Sequence, residues 1–176
     1  MRYRLVPFPS AAAPPVAAVE ADVRREGDHL HFAFRVSRGA KLKTASRATP
    51  ARRDGLWRST CFEAFIKPGA GDAYFEFNFS PSGDWAAYRF DRYRRGMMNA
   101  AVMAPDIQWR TLDGAAELAA RIDATALGLS PSARLGLSAI LETKQHEKTY
   151  WALAHPGDKP DFHHAGGFIA RPPHKG

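Results

Sequence analysis

The chain predicts an all-β domain built as an antiparallel two-sheet β-sandwich, and three observations carry that prediction. Apolar residues recur at a period of two. Phe62, Ala64 and Ile66 share one face of a run whose other face holds Cys61, Glu63 and Phe65, and Phe75, Phe77 and Phe79 alternate with Tyr74, Glu76, Asn78 and Ser80. Short turn-forming segments punctuate the runs: Lys67-Pro-Gly-Ala-Gly-Asp72 and Ser80-Pro-Ser-Gly-Asp84 separate them and lead into Trp85–Phe90, an antiparallel meander. Finally, roughly nine short runs of this kind follow one another without a long helical pattern or an internal repeat, the signature of a sandwich.

The remaining elements follow in order. Residues 1–17 read as an extended lead-in held by prolines, 18–170 as the domain and 171–176 as a tail. Val19, Ala21 and Val23, the turn Glu26-Gly-Asp28, and Leu30, Phe32, Phe34 and Val36 make a hairpin with one wet face, on which His29, His31 and Arg35 meet solvent. Residues 37–54 are polar, basic and without period; a loop of that length is uncommon in a compact domain and is expected to border a site. Val102 and Met103 are expected to start a strand. Ile107, Trp109 and Thr111 form the next, and Asp113-Gly114 is a turn signal. Ala115–Ala124 has helical composition but alternates strictly, and it is read as a strand because strands flank it. Thr125–Gly128 is a single helical turn, and strands at Leu135–Ile140 and Thr149–Ala154 precede a Pro-, Gly- and His-rich tail with no pattern.

Composition narrows the function. The 176 residues make one domain large enough for a substantial core, with 45% hydrophobic and 11% aromatic residues. The net charge of +7 invites a nucleic-acid reading, but a solvated basic surface is the commoner account. A single cysteine, Cys61, excludes an internal disulfide and sits in an apolar run, where a buried inert thiol is expected. Prolines 7, 9, 14 and 15 interrupt the apolar N-terminal stretch, and no run approaches the roughly 18 apolar residues of a membrane span, so a soluble, cytoplasmic chain is expected.

No nucleotide loop, nucleophile elbow, Cys-x-x-Cys or His-Glu-x-x-His motif occurs, and a non-enzyme is expected. Glu63 and Glu76, on the polar faces of adjacent strands, would suit glycoside hydrolysis only at the separation that chemistry needs. Exposed strand positions or a binding face are the commoner readings. His155, His163, His164 and His174, with Asp158 and Asp161, cluster in the tail without the spacing of a closed metal site, so no metal is expected. The positive expectation is a binding face for a saccharide or similar polyol. Glu63, Glu76, Asn78 and Arg89 would take paired hydrogen bonds from hydroxyls, and a ring among Trp57, Trp85, Tyr88 and Trp151 would cover the sugar's C–H face.

Leu56-Trp-Arg-Ser-Thr-Cys-Phe-Glu-Ala-Phe-Ile followed by Tyr74-Phe-Glu-Phe-Asn-Phe-Ser-Pro-Ser-Gly-Asp-Trp resembles the DOMON-like superfamily, in particular bacterial proteins related to family 9 carbohydrate-binding modules. The resemblance extends over residues 18–170 and implies a jelly-roll-type sandwich that binds a ligand without catalysis. By position Glu63 matches the family's strand glutamate and Trp57 its preceding tryptophan, and Trp151 is a candidate second ring. The family's acidic residues between these two are here Arg58-Ser59-Thr60. Other DOMON domains bind haem, a reading that would call on His31, Met97, Met98 or His155 as axial ligand. A protein or nucleic-acid interaction module is the remaining alternative.

Overall fold

The alternating residues form strands, and in each strand the apolar set turns inward. The computed structural model describes residues 1–10, 14, 16–45 and 49–173. Its strands are β1 (Arg2–Pro7), β2 (Val19–Glu26), β3 (His29–Val36), β4 (Cys61–Lys67), β5 (Tyr74–Phe79), β6 (Trp85–Phe90), β7 (Met98–Asn99), β8 (Asp106–Leu112), β9 (Ala115–Asp123), β10 (Arg134–Glu142) and β11 (Lys148–Ala152). All belong to a single 11-stranded sheet in the order β7-β6-β5-β4-β10-β11-β1-β2-β3-β9-β8. Neighbouring strands pair antiparallel, and the β4–β5–β6 meander has the expected registers, with Phe62 opposite Phe79 and Phe79 opposite Trp85.

The expected division into two sheets is absent from the hydrogen bonding because β1 joins the halves. Its first residues pair with β2, Leu5 opposite Val19, and its last with β11, Pro7 opposite Trp151. The first part of the stretch expected as a lead-in, Arg2–Pro7, is therefore a strand inside the sheet. Tyr3 and Leu5 pack against the core while Arg2 and Arg4 point away, a two-residue period that the nearby prolines obscured.

The sheet curls so that its apolar face meets itself. Phe34 of β3 lies 5.2 Å from Phe62 of β4, Phe32 lies 5.9 Å from Phe79, and Phe62 lies 6.0 Å from Trp109 of β8, centroid to centroid. Each of these phenylalanines is buried, worth about 1.5–3 kcal/mol apiece relative to exposure. The ends of the hairpins follow the turn chemistry. Asp113 and Gly114 both adopt positive φ, 51° and 78°, closing β8 onto β9 with Leu112 opposite Ala115. Thr125–Leu127 is a single 3-10 turn ending at Gly128 in the left-handed region.

Two segments differ from expectation. Val102 and Met103 are irregular, and the edge strand is instead Met98–Asn99, paired with Tyr88 and Arg89. The patternless tail folds back onto the outer face of the β4–β10 region, and Ala170 bridges to Leu135. The long basic loop is tied down where it is described. Arg52 stacks on Trp85 at 4.4 Å and donates to the Ala100 carbonyl, and Arg53 pairs with Asp84.

Candidate functional site

The outer face of β10, β4, β5 and β6 carries polar residues in register. One row runs Ser138, Glu63, Asn78, Ala86, and the next runs Gly136, Phe65, Glu76, Tyr88, Asn99. Glu63 and Glu76 are therefore diagonal neighbours on adjacent strands, about 7 Å apart in the backbone. Above them opens a cavity of about 1030 Å³, walled by Asp54–Arg58 on one side, by Arg94–Asn99 on another and by Pro160–His163 of the tail. Ile140 and Tyr150 extend its floor towards β11.

The carboxyl groups of the floor are buried, Glu63 at 3% and Glu76 at 6% exposure. Ser138 donates to Glu63 Oε2 at 3.1 Å, and Asn78 Nδ2 donates to Glu76 Oε1 at 2.8 Å. No described buried side-chain nitrogen or oxygen lacks a partner, so the second oxygen of Glu63, which has none, opens to the cavity. Burial raises the carboxyl pKa of both residues, and the charge of Glu76 raises Glu63 further, while the Ser138 and Asn78 bonds act against this. The pair thus favours holding a proton, with Glu63 its preferred seat. Burial and the two glutamates also raise Cys61 far above the ordinary thiol, which leaves it inert.

A hydrogen-bonded chain ties the floor to the tail. The Tyr74 hydroxyl accepts from the Arg94 amide at 3.1 Å and lies within hydrogen-bond distance, 2.8 Å, of His163 Nδ1. The other ring nitrogen, Nε2, faces Glu76 Oε2 at 3.6 Å. Burial, aided by the Arg94 charge and opposed by Asp161, pushes the His163 pKa down to about 4, so the ring is neutral. Around it Phe65, Tyr74, Phe90 and Phe168 form a second apolar cluster. Asp161 latches the tail to the β6–β7 loop by accepting from Tyr93 at 2.5 Å and from Arg94 at 2.7 Å. Burial opposes its ionisation, but these bonds outweigh it and hold its pKa below the usual range. On the far wall Tyr88 donates to Asp54 at 2.6 Å. Trp57, in the 3-10 turn Leu56–Arg58, stands 52% exposed.

Of the six residues expected in a site, Trp57, Glu63 and Glu76 line the cavity, and Asn78 lies beneath, orienting Glu76. The other two face elsewhere. Arg89 alternates with Tyr88 and Phe90, so it points to the opposite side of β6, opposite Phe75, and pairs with Asp91 at 3.2 Å. Trp151 sits opposite Ala139 with its ring in the core and its indole nitrogen donating to Thr149; its neighbour Tyr150 takes the outward place. Sequence reasoning missed Tyr150, Arg94, Phe162 and His163. Tyr150 was one step of alternation away, whereas Phe162 and His163 sit in a segment with no period at all.

The tail histidines do not converge. His155 lies 3.0 Å from the Val6 carbonyl, His164 caps a 3-10 turn, and His163 is in the cavity; His174 lies outside the described residues. Among the described residues no three His, Cys, Asp or Glu side chains could hold one metal ion. The haem ligands named from sequence are likewise scattered: Met97 and Met98 are at the cavity mouth, and His31 is on the outer face of β3, where it lines a different depression.

No family model matches the chain, and no curated protein matches it. Among solved structures it is similar to a proposed carbohydrate-binding protein from Bacteroides uniformis ATCC 8492, with a TM-score of 0.67 and 14% identity over 96% of this chain and 84% of that one. A family 9 carbohydrate-binding module from Caldicellulosiruptor kristjanssonii in complex with cellotriose aligns at a TM-score of 0.48 and 14% identity, over 81% of this chain and 68% of that one. The first likeness establishes a shared fold.

Proposed function

We propose that this chain binds a saccharide, without transforming it, in the cavity above β4, β5 and β6. One observation carries the reading: two buried hydrogen-bonded pairs, Ser138 with Glu63 and Asn78 with Glu76, underlie a cavity beside the exposed indole of Trp57. Sugars are amphipathic in the same way, with hydroxyl edges that suit a partly protonated carboxyl pair and C–H faces that suit an aromatic ring. The pair is held by Ser138 and Asn78, and the buried thiol offers no nucleophile, so the arrangement suits recognition rather than turnover. The carbohydrate-binding description of the similar Bacteroides protein accords with this, and the finer placement near DOMON-like relatives of family 9 modules rests on the Trp57–Glu63 motif.

The test is a thermal-shift screen of the purified chain against mono- and oligosaccharides, with haem in separate wells. A ligand at about 100 times its dissociation constant adds roughly 2.7 kcal/mol, a shift of several degrees. A saccharide shift that disappears in Trp57→Ala and Glu63→Gln, both folded by circular dichroism, is the expected result. A shift with haem and none with any sugar would sink the reading.

A further inference from the structure

The aromatic wall of the cavity carries a cation, Arg58, that forms no ion pair with an acidic side chain among the described residues. Arg58 closes the turn that presents Trp57, and its side chain doubles back over Gly55, where a Cβ would lie 3.6 to 3.7 Å from its Nε, Cδ and Cζ. The guanidinium ends 5.5 Å from the centre of the Trp57 ring and lines the cavity. Lys148 reinforces it: its ammonium donates to the Arg58 carbonyl at 2.6 Å.

The acids nearby are already engaged. Glu142 takes Ser59 at 2.6 Å, His146 at 3.0 Å and Lys43 at 3.3 Å, while Asp54 takes Tyr88 and Asp161 takes Tyr93 and Arg94. Glu63 and Glu76 lie buried in the floor with Ser138 and Asn78. Among the described residues neither Arg58 nor Lys148 has a carboxylate within ion-pair distance. A planar guanidinium held against a ring is suited to a two-point bond with a carboxylate or phosphate, and an ammonium beside it adds a point charge.

We infer that the saccharide taken by this cavity carries an anionic group, a carboxylate or a phosphate, seated on Arg58 and Lys148 while its ring lies beside Trp57. This rests on the saccharide reading above and narrows it to acidic sugars. The floor does not oppose it, since its carboxyl pair favours holding a proton; the one carboxylate on this wall, Asp54, is held by the Tyr88 hydroxyl, and Arg58, backed by Lys148, supplies the cations.

Calorimetric titration of the whole chain with matched pairs tests the inference: glucose against glucuronic acid, galactose against galacturonic acid, and glucose against glucose 6-phosphate. The acidic member should bind at least about tenfold tighter, for either anion, with the advantage shrinking as salt rises. In Arg58→Gln the advantage of the acidic member should shrink severalfold, and Arg58→Lys should retain more of it. Equal or tighter binding of the neutral members would overturn the inference and leave the saccharide reading standing. So would an acid preference undiminished in Arg58→Gln, or acetate and inorganic phosphate binding as tightly as the acidic sugars. If no member of any pair binds, the saccharide reading itself falls.

Discussion

Phe168 lies flat against Phe65, with ring centroids 5.7 Å apart and planes 21° from parallel, and this stack seats the returning tail on the sheet. It depends on the absence of a side chain at Gly136, where a Cβ would come within 2.6 Å of the Phe168 ring. Gly136→Ala should therefore destabilise the protein by about 1–3 kcal/mol, although alanine is ordinarily the better strand residue. Urea denaturation of Gly136→Ala, Phe168→Ala and the double variant checks this. The alanine should be harmless once Phe168 is truncated, a coupling that independent sites would not display.

His163 makes stability depend on acid. Its folded pKa is about 4 against an ordinary 6.5, so between these values the unfolded chain takes a proton that the folded chain refuses. Stability from this group is lost as pH falls from 6.5 to 4, by roughly 3 kcal/mol if the full shift is realised. Glu63 and Glu76 work in the opposite sense, because their raised pKa values favour the folded state at low pH and this gain is lost as pH rises through them. Glu142 adds a lower window. The Ser59 bond, with His146 and Lys43 and against burial, holds it at about 2, so its contribution is lost between 4.5 and 2. The difference between wild type and His163→Gln isolates the first effect: their urea midpoints should converge as pH drops from 6.5 to 4 and run parallel below.

The two outward-named tryptophans should separate cleanly. Trp151→Ala removes a core ring and should cost about 3–5 kcal/mol. Trp57→Ala, at a half-exposed ring, should change stability by under about 1 kcal/mol and abolish the saccharide response. Denaturant midpoints and the thermal-shift response of both variants distinguish these outcomes.

This pair also marks how far the sequence could be read. Alternation placed Glu63, Glu76 and Asn78 on one face and Phe62, Phe75, Phe77 and Phe79 on the other, because period two in a strand leaves no third option. It failed at Trp151 and Arg89, where an aromatic and a charged residue were chosen by chemistry against their own parity. It also failed in β1, where two prolines masked a clear alternation of Tyr3 and Leu5 with arginines. His163 and Phe162 were out of reach for a different reason. Their segment is placed by contacts with Tyr74, Arg94 and Phe65, partners whose approach has no local signal.

The tail should open before the sheet does. Asp161 carries the charged latch to Tyr93 and Arg94, so Asp161→Asn should weaken tail docking by about 1–2 kcal/mol. Hydrogen exchange should then quicken in residues 156–170 while β4, β5 and β10 retain their protection.

The central claim is that a saccharide sits against Trp57 over the Glu63–Glu76 floor. The most direct measurement is a titration of the saccharide giving the largest thermal shift, followed through the four indole N–H resonances of the chain. The Trp57 resonance should move saturably while that of Trp151, in the core, stays fixed. Movement of the Trp109 indole with Trp57 unmoved, or a stationary Trp57 while the heat of binding is still seen, would contradict the account.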